Sequence, residues 1–190
     1  MKVDAKKFEE DWKNNPMREP RLEKVTINFA LGKSGVELEK ARRLAEALTD
    51  QKPADSRAKK SVRGFGIRQN EAIGTHVTLR KEKAKEFLVK AFYALDDIVL
   101  FKNFDQNGNF SATVHDHLNL PKVKYDPKIG VFGFTVTANL ERRGYRIKRR
   151  RLLRKKIPQK HKITKEEAIV WFQKHFQQIK VQEKREEDFY

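Results

Sequence analysis

The chain has 190 residues, with 43 Lys and Arg against 26 Asp and Glu, for a formal net charge of +17. It contains no cysteine, which excludes disulfides, thiol catalysis and Cys-based zinc sites. The first residues are dense in charge and no run of about 18 apolar residues occurs, so neither a secretory leader nor a membrane span is expected, and a soluble, cytoplasmic protein is.

In chain order, Asp4 to Trp12 reads as a short amphipathic helix carrying Phe8 and Trp12, stopped by Pro16 and Pro20. Val25, Ile27, Phe29 and Leu31 alternate with polar or small residues, the pattern of a half-buried strand. Ser34 and Glu37 have capping-box spacing ahead of Leu38, Ala41, Leu44, Ala45 and Leu48, a helix ending near Asp50. Residues 51–75 lack a period and hold Gly64, Gly66 and Gly74, so they predict a long loop or ribbon. Val77 and Leu79 mark a second strand, and Phe87, Leu88, Ala91, Phe92 and Leu95 one side of a helix from about Lys83. Ile98 to Phe104 is strand-like, and Asn107-Gly108 predicts a hairpin turn into Phe110 to Val114. Phe132, Phe134, Val136 and Ala138 alternate as a late strand. Thr164 and Glu167 give a second capping box, before a helix lined by Ala168, Trp171, Phe172, His175, Phe176 and Ile179. Val181 to Tyr190 reads as a frayed tail. Alternating rather than continuously apolar strands predict an α+β fold with a mostly antiparallel sheet, helices on one face only. Residues 1–180 are read as one domain, with a protruding loop at about 56–74, a basic extension at 141–180, and 181–190 as tail.

The excess charge is concentrated. Residues 51–70 carry Lys52, Arg57, Lys59, Lys60, Arg63 and Arg68 against Asp55, and residues 141–162 carry twelve cations against Glu141. These two blocks hold +16 of the +17, which points to a polyanion partner whose phosphates they neutralise. A membrane surface fits poorly, because Tyr145, Ile147, Leu152 and Leu153 form no broad apolar face. Catalytic readings fail on spacing. Gly32-Lys33-Ser34 lacks the phosphate loop's first glycine, since Ile27 stands there, and Gly64-Phe65-Gly66 lacks the third glycine of a dinucleotide fingerprint. His115 and His117 have no third ligand at a metal-binding interval, and His76, His161 and His175 stand alone. No enzyme activity, cofactor or metal is expected.

The stretch QKPADSRAKKSVRGFGIRQNEAIGTHVTLR, Gln51 to Arg80, resembles the signature of the universal large-subunit ribosomal protein family that binds 5S rRNA. Pro20 to Asn28 is similar to that family's opening strand. Phe104-Asp105, Gly108 to Phe110, Pro121, Tyr125-Asp126 and Gly133 to Thr137 are similar to its later half. The Arg-rich block ahead of a Trp-bearing helix resembles the archaeal and eukaryotic branch. The resemblance implies a sheet with one side helix-packed and the other concave toward RNA. It implies a structural role in the central protuberance, anchoring 5S rRNA to the large rRNA, with a loop reaching toward P-site tRNA. Implied neighbours are another 5S-binding protein and a small-subunit head protein across the subunit interface.

By the same resemblance, Asn28, Gln51, Thr78 and Arg80 contact 5S rRNA, and the loop residues Lys59, Lys60, Ser61, Arg63, Phe65, Arg68 and Gln69 meet tRNA or large rRNA. The residues themselves support this: Asn28, Thr78 and Arg80 alternate with apolar neighbours onto a polar face suited to RNA backbone and 2′-hydroxyls. Phe65, between two glycines, either stacks on a base or packs back on its own loop. The block Arg142, Arg143, Arg146, Lys148, Arg149, Arg150, Arg151, Arg154, Lys155 and Lys156 has no bacterial counterpart, and its charge implies contact with large-subunit rRNA or a neighbouring protein. The rival readings are a free-standing RNA-binding maturation factor and an RNA-acting hydrolase or transferase built around His115 and His117.

Overall fold

In the computed structural model, residues 5–182 are described. The elements are helix α1 (Ala5–Asn14), strand β1 (Arg21–Ala30), α2 (Val36–Thr49), β2 (Ala54–Arg57), β3 (Ala72–Leu79), α3 (Lys81–Tyr93), β4 (Ile98–Leu100), β5 (Phe110–Val114), β6 (Phe134–Glu141), α4 (Arg146–Arg149), α5 (Lys165–His175) and β7 (Lys180–Gln182). This is the α+β architecture the alternation predicts. A five-stranded sheet runs β2-β3-β1-β6-β5, and β4 and β7 form a separate pair. The chain divides into two compact units. One is built from Val25–Leu95 and Ala112–Thr137, the other from the segments before Val25, Asp96–Ser111 and the chain from Ala138 on.

In the first unit, β3 pairs antiparallel with both β1 and β2. Val25, Ile27 and Phe29 of β1, Val77 and Leu79 of β3, and Phe134 and Val136 of β6 are buried. Against this side lie Leu38, Ala41, Leu44 and Ala45 of α2 and Ala84, Phe87, Leu88, Ala91 and Phe92 of α3, all buried. The Phe134 ring sits 5.4 Å from Phe29 and 6.3 Å from Phe87. Each Val, Leu, Ile or Phe among them contributes roughly 1.5–3 kcal/mol on burial, and each Ala less, so this apolar face is what holds the sheet to its helices. The expected capping box at α2 does not form. The helix starts two residues after Ser34, behind Gly35 at φ 105°, with no side-chain cap, and the Ser34 hydroxyl donates instead to Glu71. A glycine in that conformation turns the chain sharply enough to carry Ser34 away from the helix end.

In the second unit, α5 buries six consecutive residues, Glu167 to Phe172, so it is enclosed on more sides than the one-faced pattern suggests. Phe104, Phe110 and Phe172 form a cluster with ring separations of 5.4–5.6 Å. The Asn107-Gly108 turn is as expected, with Asp105 accepting from the Asn107 and Asn109 amides, but it is flanked only by a single bridge, Phe104 to Phe110. Gly108 is required there. Its φ is 75°, and a β-carbon would lie 2.6 Å from Ile163. The strand expected over Ile98 to Phe104 stops at Leu100 and continues as a 3-10 turn. Strand β7 reaches into the span expected to be tail. Val181 and Gln182 belong to β7, which pairs in parallel with β4 and buries Ile179 ahead of it. Asp4 of the first predicted helix and residues 183–190 of the tail lie outside the described residues.

Candidate nucleic-acid interface

Cross-strand register decides which polar side chains share a face. Asn28 stands opposite His76 and Thr26 opposite Thr78 across the β1–β3 ladder. All four are half-buried, on the side away from α2 and α3. Ser56 of β2 joins them through a 3.0 Å hydrogen bond to His76 Nδ1. Thr135 and Thr137 alternate with the buried Phe134 and Val136 and so also face away from the helices, and Thr113 lies 3.4 Å from Thr135, hydroxyl to hydroxyl. The result is a sheet face of hydroxyls, an amide and an imidazole, groups that both donate and accept. Of the sequence-predicted set, Asn28 and Thr78 lie on this face. Arg80 is exposed at the end of β3 where α3 begins, and Gln51 is half-buried between α2 and β2. Sequence reasoning missed Thr26, Ser56 and His76. The period-two rule names the face within one strand, but only the register brings β1, β2 and β3 side by side.

Of the two forms expected, loop or ribbon, the segment takes the ribbon. Ala58 and Asn70–Glu71 exchange backbone hydrogen bonds of 2.9 Å, and Val62 pairs with Ile67 through bonds of 2.9 and 3.2 Å. The Gln69 amide donates to Ser61 Oγ at 2.8 Å, and the Arg68 amide to Glu71 at 2.8 Å. The Ser34 hydroxyl and that Arg68 amide hold the Glu71 carboxyl below its ordinary range, so it stays charged and ties the base of the ribbon. At the tip a 3-10 turn, Arg63 to Phe65, closes on Gly66 at φ 66°. Lys59, Lys60, Ser61, Arg63, Arg68 and Gln69 are all exposed there. Phe65 is 79% exposed, so it does not pack back on its own loop.

The basic extension separates into two kinds of cation. Arg142, expected to face RNA, is 3% exposed, and its guanidinium grips Glu167 with contacts of 2.5 and 2.6 Å. Glu167 is itself buried and accepts a 3.0 Å bond from the Trp12 indole. Burying one carboxylate forces a cation in beside it, because either charge alone would be too costly. Glu167 is thus not the second half of a capping box, although its amide does donate to Thr164 Oγ1 at 3.3 Å. Lys148 and Arg149 are also engaged: both meet Glu141, and Arg149 reaches Glu23 at 2.7 Å. Arg143, Arg146, Arg150, Arg151, Arg154, Lys155 and Lys156 are exposed.

The histidines do not converge. His115 is exposed, while His117 is 2% exposed and accepts from the Phe132 amide at 3.3 Å, and burial pushes its pKa down. His161 binds the Arg143 carbonyl and His175 stacks on Trp171. Among the described residues no three or more His, Asp or Glu side chains come together as metal ligands would. No helix among them is long and apolar enough to cross a membrane.

Residues 15–68 match the family described as ribosomal protein L5, and residues 72–171 match the description of that ribosomal family's C-terminus. The chain is 43% identical over 172 residues to large ribosomal subunit protein uL5 of Methanococcus maripaludis, covering 89% of this chain and 95% of that protein. It is 43% identical over 162 residues to the uL5 of Aeropyrum pernix, covering 85% and 84%. It is 42% identical over 172 residues to the uL5 of Methanococcus vannielii, covering 89% and 95%.

Proposed function

Because the chain belongs to the ribosomal protein L5 family, in its archaeal-type branch, we propose that it is a structural constituent of the large ribosomal subunit that holds 5S rRNA against the polar face of its sheet. Its work is binding in the cytoplasmic ribosome, not catalysis. The observation that carries the RNA reading is the pairing of Asn28 with His76 and Thr26 with Thr78 on a face turned away from both helices. An amide, an imidazole and hydroxyls in fixed register match the alternating acceptors and 2′-hydroxyls of an RNA minor groove. Arg80, at the end of the same strand, adds a guanidinium suited to a phosphate. Gln51 contributes from the turn that leads into β2.

The ribbon supplies a second contact. Lys59, Lys60, Arg63 and Arg68 neutralise phosphate, Ser61 and Gln69 add polar contacts, and Phe65 offers a solvent-facing ring on which a base stacks. Its occupants on this reading are P-site tRNA and large-subunit rRNA. The exposed arginines of the extension, Arg143, Arg146, Arg150, Arg151 and Arg154, bind large-subunit rRNA. The protein so anchors 5S rRNA to the large rRNA in the central protuberance, beside another 5S-binding protein and facing a small-subunit head protein.

Titration of the full chain with 5S rRNA, tRNA and an unrelated duplex of equal length tests the sheet-face reading. Preference for 5S rRNA is expected, and its loss when Asn28→Ala, Thr78→Val and Arg80→Ala are combined. Equal binding of all three RNAs, indifferent to those substitutions, would sink it.

A further inference from the structure

Between Glu141 and Glu166 the chain has no acidic residue, yet it places Leu152 and Leu153 side by side among arginines. Both leucines face solvent, at 77% and 78% exposed, and Ile147 is 40% exposed. The turn that presents them is held in place. Arg150 Nε donates to the Leu153 carbonyl at 2.8 Å, and the Lys155 amide to the Ile147 carbonyl at 3.4 Å. Leu153 adopts φ 52°. Among the described non-glycine residues with positive φ, the others are Asp, Asn or Lys, and Leu153 is the one aliphatic case. A left-handed leucine is costly because its β-carbon crowds the following carbonyl, so the fold sustains strain there to project an apolar pair into water.

We propose that Leu152 and Leu153, with Ile147, form a docking tip for a protein partner whose apolar pocket is rimmed by carboxylates. RNA offers an aliphatic pair little specific recognition beyond wedging against a base. The side chain has neither a π-face to stack nor a group to hydrogen-bond, and RNA presents chiefly phosphate, sugar hydroxyls and base edges. An apolar pocket desolvates the pair, and its acidic rim meets Lys155 and Lys156, exposed just after it in the chain. This goes beyond the RNA reading. The same block carries phosphate-binding cations and a separate protein anchor.

A benzophenone amino acid at position 152 of the full chain, irradiated in the cells that make it, reports what lies against the tip. The expected adduct is one protein, joined through an apolar peptide flanked by Asp or Glu. Leu153→Gly keeps the left-handed turn while removing the side chain, and should abolish that adduct. An adduct with RNA, no adduct, or a protein adduct indifferent to Leu153→Gly would overturn the proposal. Sedimentation of the labelled chain with large subunits is scored separately, so failure of the ribosomal reading is told apart from failure of this one.

Discussion

Arg142 and Glu167, 25 positions apart in the chain, meet as an ion pair in which the two side chains are 3% and 2% exposed. Trp12 completes the arrangement from the other end of the chain by donating to the same carboxylate. Arg142 Nε and Nη1 are buried with no hydrogen-bond partner, so the guanidinium depends on Glu167 for compensation. Glu167→Gln keeps the shape and an acceptor for Trp12 but leaves a buried cation unpaired. It should cost about 3–5 kcal/mol, a large part of a typical domain's stability. Urea unfolding followed by tryptophan fluorescence measures this. A change below about 1 kcal/mol would mean that water reaches Arg142.

How far the sequence carries the fold is clear from particular residues. The alternation of β1 and β6 and the periodicity of α2 and α3 are readable because local burial dominates there. Ser34 misleads because its partner, Glu71, lies 37 positions away, and a capping box is only one of the bonds a serine can make. Arg142 misleads for a similar reason. Within an arginine run nothing local distinguishes the cation drawn inward by a distant carboxylate from those left in solvent. The polar face is half legible. Asn28 and Thr78 can be placed from their own strands, whereas His76 and Ser56 need the register.

Phe65 separates binding from folding. At 79% exposed it makes little contribution to the native core, so Phe65→Ala should change stability by no more than about 0.5 kcal/mol. Affinity for the RNA that meets the ribbon should fall by about 1–3 kcal/mol, the worth of one base stacked on an aromatic ring. Calorimetry on the free protein and on its RNA complex gives both numbers. Equal RNA affinity for Phe65→Ala would show that the ring carries no base.

The two kinds of cation in the extension should part under salt. Replacing Arg150, Arg151 and Arg154 with Ser removes exposed charges, and should leave the unfolding midpoint nearly unchanged. It should flatten the log–log dependence of rRNA affinity on salt by up to about 0.9 for each duplex phosphate no longer neutralised. Arg142→Ala should do the reverse. It strands the buried Glu167 carboxylate, so the midpoint drops while the salt slope of the folded protein stays the same. An unaltered slope in the triple variant would remove these arginines from the RNA interface.

His117 gives the fold a predictable acid limb. Its ring is 2% exposed and burial holds its pKa below the ordinary 6.5. Since the unfolded chain takes up this proton at a higher pH than the folded one, the contribution is complete above about pH 6.5 and is lost as pH falls through the depressed folded value. Its Nδ1 accepts from the Phe132 amide, and the His117 amide donates in turn to the Phe132 carbonyl at 3.1 Å, so charging the ring would loosen the chain just before β6. Stability should therefore decline from pH 7 to pH 5 more steeply in the native chain than in His117→Gln, which keeps an acceptor and carries no proton to bind. Chemical denaturation across that range, at constant ionic strength, measures the difference. Parallel curves for the two proteins would mean that the imidazole titrates alike in the folded and unfolded states, and that burial of this ring is not what sets the limb.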